Sequence, residues 1–252
     1  MQTVSRAVEV LNFLSTGQKT LIEVTNHLGT HKSTVLRLLQ TLERSKYTSR
    51  TDDGKWTIGT QFIHIANNSI NSLDVKAVAR PYLKRLEHKC GHTVHLAQLL
   101  GKDLVYIEKI EGSDNVLMYS RIGKSLPIHA SAIGKAIYSF LDEVKKREID
   151  KTLTFQKFTP KTLTNKQDFA KEINKIQKKG WAADNGEFEV NMNCIAVPVF
   201  DEHGRARMGI SISTLKVIAP ESKLKSYLPA LTETAESIAK ELSFSSMSKS
   251  AI

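Results

Sequence analysis

The chain has 252 residues, of which 40% are hydrophobic and 25% charged, and it carries a net charge of +10. This length is more typical of two domains than of one, and the positive charge favours a polyanionic partner. No apolar run approaches the roughly 18 residues that cross a bilayer, no signal segment is recognised, and the 2 cysteines suggest no disulfide framework. We therefore expect a protein of the reducing cytoplasm with no membrane partner.

Three amphipathic helices are predicted at the start of the chain. Their apolar residues recur at helical spacing: Val4, Ala7, Val8, Leu11 and Leu14 in the first, Leu21, Val24 and Leu28 in the second, and Val35, Leu38, Leu39 and Leu42 in the third. The second pattern stops at Gly29, which leaves a short glycine-containing turn before the third. Two helices joined in this way are typical of a helix-turn-helix, a DNA-binding unit.

A short β-hairpin is predicted after the third helix. Residues 46–49 and Trp56–Ile58 have the pattern of strands, and residues 51–55 between them are rich in turn formers. An ordinary amphipathic helix with a solvated polar face would explain the charged stripe alone, but not the turn and the hairpin as well. The combination indicates a winged helix-turn-helix. Arg50 and Lys55 form a basic wing tip suited to the DNA backbone.

The polar face of the third helix supplies further candidate DNA contacts, because the N-terminal residues of a recognition helix point toward base edges. Arg37 is the candidate base-reading residue, since a guanidinium can bond both acceptors of guanine. Ser33 and Thr34 suit phosphate contacts and the capping of the helix N-terminus. The complete predicted set is Lys32, Ser33, Thr34, Arg37, Gln40, Arg50 and Lys55. Residues 1–60 hold 8 Lys and Arg against 5 Asp and Glu. This small positive excess is compatible with DNA binding but does not by itself predict it.

The rest of the chain has a mixed pattern. A helix is predicted over 60–73, and another ends near Cys90. The later strands are predicted at 93–99, 104–110, 116–120, 194–200 and 207–215, and the helices at 130–141, 165–179 and 221–242, with a frayed tail over 243–252. This order indicates an antiparallel sheet flanked by helices. We predict an α+β protein with a winged helix-turn-helix at 1–59, a helical linker at 60–75, a sensor-like α/β domain at 76–245 and a tail at 246–252.

Several segments resemble the IclR family of bacterial transcriptional regulators. They are KSTVLRLLQTLE, VYIEKIEG, MYSRIGKSLPIHASAIGKA at 118–136 and GWAADNGEFEVNMNCIAVPVFDEHG at 180–204. The block at 118–136 is similar to the branch of repressors that respond to 2-keto-3-deoxygluconate and related sugar acids. The chain departs from the family at Lys46, where a glycine usually precedes the tyrosine of the wing. This departure affects the geometry of that turn.

The resemblance implies a GAF-like effector-binding domain whose pocket holds a small carboxylate. By motif, the pocket residues are Met118, Leu126, Ala132, Ile133, Asp184, Cys194, Ser211 and Ser213. Many family members carry a smaller residue at the position of Ile133. The larger side chain of Ile133 narrows the pocket in this chain. The first turn of the helix after Pro127 would offer free N–H groups to an anion. Asp184 would repel a carboxylate, so we expect it near the hydroxyl groups of the ligand.

The sequence itself supports part of this pocket. Ser211 and Ser213 are two residues apart, so in a strand both point to one face, while Ile210 and Ile212 point to the other. Other interpretations remain open, because strand serines are often solvated and Cys194 is also suited to a small core position. Met118 and Leu126 have the character of core residues.

Other chemical sites find little support. Cys90, His92 and His95 are close in sequence, but they lack the paired spacing of a four-ligand zinc site. No catalytic residue, metal ion or cofactor is predicted.

The predicted function is a ligand-controlled DNA switch. A homodimer or homotetramer places recognition helices in successive major grooves of a double-stranded operator. A sugar acid or 2-keto acid bound in the second domain changes their spacing through the linker. Family analogy favours repression that the ligand relieves. The alternatives are a GAF-like redox enzyme domain that uses Cys194 and is fused to a DNA-binding module, and a second domain that serves only oligomerisation.

Overall fold

The computed structural model describes residues 2–70, 75–114, 118 and 120–249. The chain divides into two compact units, residues 1–72 and 73–252, and each has its own hydrophobic core. Among the helices of these described ranges, none is long and apolar enough to span a membrane.

The first unit is built from helices and a hairpin. Its described elements are α1 Gln2–Leu14, α2 Leu21–Leu28, α3 Lys32–Arg44, β1 Thr48–Arg50, β2 Trp56–Ile58 and α4 Gln61–Ile70. Helix α2 begins with a capping box, in which the Thr20 hydroxyl accepts from the Glu23 N–H and the Glu23 carboxylate accepts from the Thr20 N–H. It ends at Gly29, whose φ of 57° is left-handed. The helices and the antiparallel hairpin form the predicted winged helix-turn-helix.

Two local predictions in this unit were wrong. The N-cap of α3 is His31, and its side chain makes no capping hydrogen bond. Ser33 and Thr34 therefore lie inside the first turn and do not cap the helix. The first wing strand begins only at Thr48, because Lys46 has a positive φ of 59° and forms part of the turn that closes α3.

The second unit is a sheet with helices on both faces. Its described elements are α5 Val75–Cys90, β3 Thr93–Leu100, β4 Asp103–Ile110, α6 Ala132–Ser139, α7 Glu143–Asp150, α8 Lys166–Lys179, β5 Ala182–Asn185, β6 Met192–Phe200, β7 Ala206–Leu215, α9 Glu221–Lys225 and α10 Leu228–Lys249. The strands are antiparallel in the order β4-β3-β7-β6-β5. Helices α5 and α10 pack on one face, and α6 and α8 on the other.

The alternation predicted for β7 is confirmed. Ile210 and Ile212 are fully buried in the core beneath α5 and α10. Ser211 and Ser213 therefore point to the opposite face of the sheet, on the side of α6. The sequence pattern thus determines which face of the sheet carries the polar side chains.

The α+β class is confirmed, and the differences from the predicted elements are local. Helix α7 and strand β5 were not predicted. The helix predicted at 221–242 is interrupted between α9 and α10, and α10 continues to Lys249, so residues 243–249 are helical in place of a frayed tail. The strand predicted at 116–120 lies largely outside the described residues, and Met118 and Ser120 are not in a strand. Residues 71–74 of the predicted linker also lie outside them, and the linker stays a prediction.

Candidate functional site

The solvent-facing side of α3 carries the polar residues that the sequence assigns to DNA. Val35 and Leu39 are completely buried and fix the opposite side of the helix in the core. The residues left exposed are Lys32, Ser33, Thr34, Arg37 and Gln40. Within the described residues, no hydrogen bond or ion pair engages the Arg37 guanidinium, so all of its donors face solvent. This arrangement is suited to insertion into a major groove.

The wing tip is less basic than the sequence predicts. Arg50 Nε donates to the carbonyl oxygen of Gly54 at 3.3 Å, and its guanidinium lies 5.9 Å from the Trp56 ring centre. Lys55 Nζ lies 2.7 Å from Asp53 Oδ2. Hydrogen bonding to Lys55 lowers the pKa of Asp53 to about 2. Both predicted basic contacts therefore have a partner within the wing, and Asp53 partly compensates the positive charge of Lys55.

A cavity lies between α6 and the sheet of the second unit. It contains about 590 Å³ of empty space, including the part that is open to solvent. All eight predicted pocket residues line it: Met118, Leu126, Ala132, Ile133, Asp184, Cys194, Ser211 and Ser213. The structure adds lining residues that the motif did not assign: His95, Tyr106, Ser120, Lys124, Ser125, Ser131, Phe188, Glu189 and Met192.

Strand register explains how residues far apart in sequence meet at this cavity. Asp184 on β5 lies opposite Cys194 on β6, and Cys194 lies opposite Ser213 on β7. Ser211 in turn lies opposite His95 on β3. Because alternate side chains of a strand share a face, these residues form a stepped polar row across the sheet, in which Asp184, Cys194 and Ser213 lie at one level and Ser211 and His95 lie two residues further along their strands. The row faces the helix α6.

The N-terminus of α6 forms the wall opposite the sheet. Ser131 is the N-cap, and its hydroxyl accepts from the Gly134 N–H at 3.2 Å and donates to the Pro127 carbonyl at 2.8 Å. In the part of the chain that is described, the N–H groups of Ala132 and Ile133 have no hydrogen-bond partner. Two free N–H groups at the positive end of a helix favour an anion.

Asp184 is the buried acidic residue of the cavity lining and is 3% exposed. Its Oδ1 accepts from the N–H groups of Glu187 at 2.6 Å and Phe188 at 3.4 Å. Burial raises the pKa of Asp184 to about 6, even though these hydrogen bonds and the charge of Lys135 favour the carboxylate. Near neutral pH the side chain is therefore mainly a hydrogen-bond acceptor, which suits the hydroxyl groups of a ligand.

Comparisons with known proteins decide the family. A model of the IclR helix-turn-helix domain matches residues 3–52, and a model of the bacterial transcriptional regulator IclR C-terminal region matches residues 67–240. The chain belongs to the IclR family of bacterial transcriptional regulators. It is thus a DNA-binding, ligand-responsive regulator.

Individual relatives span nearly the whole length of this IclR-family chain. The HTH-type transcriptional regulator XynR of Escherichia coli K12 is 31% identical over 248 residues, which cover 97% of this chain and 98% of that protein. KdgR of the same strain is 28% identical over 225 residues, covering 89% and 86%. The crystal structure of Thermotoga maritima IclR matches with a TM-score of 0.82 and 31% identity, covering 96% of this chain and 99% of that one.

The chemistry of Cys194 in this IclR-family protein does not suit a redox enzyme, in agreement with relatives that are named as regulators. Burial, reinforced by the charge of Asp184, raises the pKa of its thiol far above the ordinary range. The thiol therefore stays protonated and is a poor nucleophile. Cys90 belongs to the core on the other face of the sheet. Within the described ranges, no group of three His, Cys, Asp or Glu side chains could hold a metal ion.

Proposed function

We propose that this IclR-family regulator represses an operon for the catabolism of sugar acids or 2-keto acids, and that a small carboxylate effector releases it from DNA. The observation that carries the proposal is the composition of the cavity. An anion-binding helix end faces a row of hydroxyl and carboxylate side chains across an otherwise apolar space. A ligand with a carboxylate at one end and hydroxyl groups at the other matches this distribution.

Each part of the cavity has a proposed role toward such a ligand. The carboxylate accepts hydrogen bonds from the free N–H groups of Ala132 and Ile133. The ligand hydroxyl groups bond to Ser211 and Ser213 and donate to Asp184. The carbon chain contacts apolar side chains of the cavity, among them Met118, Leu126, Ile133 and Cys194. Asp184 is kept away from the carboxylate, because two like charges in a buried site repel strongly.

The relatives support this choice of effector class. KdgR and XynR align over most of the chain, and the block at 118–136 resembles the sugar-acid-responsive branch. Four of the proposed contacts lie within this block: Met118, Leu126, Ala132 and Ile133. The resemblance and the composition of the cavity therefore favour the same ligand class.

The proposed DNA-binding form is a homodimer or a homotetramer on a roughly palindromic double-stranded operator. Helix-turn-helix proteins bind as dimers to half-sites one helical turn apart or a multiple of it. Helix α1 supports self-association, since Val4 and Val8 are 70% and 53% exposed. Lys32, Ser33 and Thr34 contact phosphate, and Arg37 and Gln40 contact bases. Arg50 and Lys55 contact the backbone from the wing, more weakly because each has an internal partner.

Effector control requires that the ligand prefer one arrangement of the protein over the other. A ligand that binds the DNA-bound and the released forms equally shifts nothing, however tightly it binds. We propose that occupation of the cavity favours the released form through residues 60–75. The factor by which the effector lowers the DNA affinity then equals the factor by which DNA lowers the effector affinity.

Ligand binding by the full-length protein tests the proposal. The probes are 2-keto-3-deoxygluconate, gluconate and pyruvate, with glucose as a neutral control, in thermal unfolding and titration calorimetry. We expect at least one acid to raise the melting temperature and glucose to have no effect. The Ser211→Ala/Ser213→Ala variant should lose the response. Chemical analysis should find the acid unchanged, whereas consumption would favour an enzyme. A protein that responds to none of the acids would contradict the proposal and favour an oligomerisation role.

A further inference from the structure

We infer that His95, which the family motif does not assign, is a specificity-determining residue of the cavity. It hydrogen-bonds a hydroxyl group in the tail of the effector and so favours hydroxylated acids over short 2-keto acids. The inference rests on the proposed function, since it concerns the same cavity, and it adds the feature by which the cavity selects its ligand.

The His95 ring is held rigidly in the cavity wall. The residue is 1% exposed and lies on the face of β3 that also carries the polar row. Its Nε2 lies 2.8 Å from the Ser120 hydroxyl oxygen. The ring stacks on Tyr106, with the ring centres 4.5 Å apart and an angle of 28° between the planes. Ser120 and Tyr106 also line the cavity, so the imidazole has one defined orientation before any ligand binds.

One nitrogen of this ring is left without a partner. His95 Nδ1 is buried and makes no hydrogen bond within the described residues. A neutral imidazole has one donor and one acceptor nitrogen, and Ser120 occupies only Nε2. Buried polar atoms in folded proteins almost always have a partner, and an unmade hydrogen bond is costly. An unsatisfied nitrogen on a residue that lines a cavity is therefore a site for a ligand group.

The ionisation state of the ring determines which ligand group it suits. Burial, reinforced by the charge of Lys109 on the neighbouring strand β4, lowers the pKa of His95 to about 3. The ring is therefore neutral under physiological conditions and offers a carboxylate no opposite charge. A hydroxyl group both donates and accepts, so it can bond to Nδ1 in either tautomer. The facing residue on β7 is Ser211, which places a second hydroxyl-binding side chain beside it.

Two natural probes differ only in the part of the ligand that His95 is inferred to contact. Pyruvate and 2-keto-3-deoxygluconate share a 2-keto carboxylate end, but only the second has a hydroxylated tail. The variants are made in the full-length protein, and affinities are measured by titration calorimetry. His95→Phe keeps a ring against Tyr106 and removes both nitrogens. His95→Asn keeps a polar atom near the position of Nδ1 and gives up the contact with Ser120.

We expect His95→Phe to weaken the binding of 2-keto-3-deoxygluconate about tenfold, the effect of one lost hydrogen bond. Its affinity for pyruvate should change less than twofold. His95→Asn should retain most of the affinity for the longer acid. The control is Val94→Ala, which shortens a buried side chain on the opposite face of the same strand. The control should lower the melting temperature while the ratio of the two affinities stays at the wild-type value.

The outcomes separate this inference from the proposed function. If His95→Phe weakens both acids equally, as a purely structural residue would, the inference is wrong and the effector cavity stands. If His95→Phe leaves both affinities at the wild-type values, the inference is also wrong. If the wild-type protein binds neither of these acids, the inference is wrong, and if it does not bind gluconate either, the proposed function fails as well. A loss of affinity confined to 2-keto-3-deoxygluconate supports both the inference and the proposed function.

Discussion

Lys135 of α6 and Glu187 of the turn after β5 form an ion pair between a buried lysine and a partly buried glutamate, in which Nζ lies 2.5 Å from each carboxylate oxygen. Lys135 is 1% exposed. Burial raises the pKa of Glu187 to about 7, although Lys135 acts to lower it. The hydroxyl groups of Thr159 and Thr162 donate to the Glu187 carbonyl oxygen as well. The turn that brings Phe188 to the cavity is thus fixed to the helix that forms the opposite wall.

Breaking this ion pair should destabilise the second unit strongly. Glu187→Leu leaves the Lys135 charge buried without a partner, which costs about 3–5 kcal/mol, and Lys135→Met should cost less, because the partly exposed Glu187 can take up a proton. The double variant removes both charges and should recover most of that loss. Denaturant unfolding of the full-length protein measures the three free energies. Lys171→Met is the control, because its ion pair with Asp168 is exposed and should contribute little to stability. Additive losses in the double variant would contradict the account.

Asp184 should make stability depend on pH. The pKa of Asp184 is raised to about 6 in the folded protein, against about 4 in an unfolded chain. The unfolded chain therefore loses the proton first, and the stability falls as pH rises from about 4 to above 6. Asp184→Asn keeps an acceptor for the Glu187 N–H and cannot ionise. Relative to the wild type, the variant should gain up to about 3 kcal/mol between pH 4 and pH 7, as measured by denaturant unfolding at each pH. A constant difference would show that burial does not raise this pKa.

Lys46 should be a source of strain in the turn between α3 and the wing. It is the one non-glycine residue with a positive φ in the described ranges, and a side chain in that conformation is costly. Lys46→Gly should stabilise the protein by up to about 1 kcal/mol in denaturant unfolding. The matched control is Ser45→Gly, since Ser45 has a φ of −94° and gains nothing from glycine. A loss of stability in Lys46→Gly equal to that of the control would rule out the strain.

The sequence predicts the features that depend on neighbouring residues and misses those that depend on distant ones. The apolar stripe of α3 and the stop at Gly29 are local patterns, and both are confirmed. Helix α7 was missed because its sequence, EVKKREID, has almost no apolar stripe. Its remaining signal is the N-cap Asp142, which accepts from the Lys145 N–H. Strand β5 has only four residues, too few for a clear alternation.

The cavity shows the same limit. Its lining residues come from segments as distant as His95 and Ser213, and the family motif connected only the eight predicted ones. His95 was visible as a polar residue in an apolar strand, but its nearness to Ser211 depends on how β3 pairs with β7. The pairing of Lys55 with Asp53 likewise depends on the conformation of the turn. These contacts depend on strand pairing and turn conformation, which no local sequence pattern specifies.

Arg37 and Lys32 should differ in their effects on DNA binding. Arg37→Ala should cost about 1–3 kcal/mol of specific affinity and relax the base preference at one position. Lys32→Ala should weaken binding to all sequences and lower the salt slope by about one unit. Fluorescence anisotropy with matched and mismatched duplexes at several salt concentrations measures both effects. An equal loss on all duplexes for Arg37→Ala would make Arg37 a phosphate contact.

The central claim is that a ligand in the second unit controls DNA binding by the first. The most direct test uses a complex of the full-length protein with an operator duplex that is obtained by in vitro selection. 2-Keto-3-deoxygluconate is added to this complex, and DNA binding is followed by fluorescence anisotropy. We expect the DNA affinity to fall by a factor of about 5–150. The Ser211→Ala/Ser213→Ala variant should bind DNA as the wild type does and respond to the acid weakly or not at all. A wild-type DNA affinity that stays constant at acid concentrations that raise the melting temperature would contradict the claim.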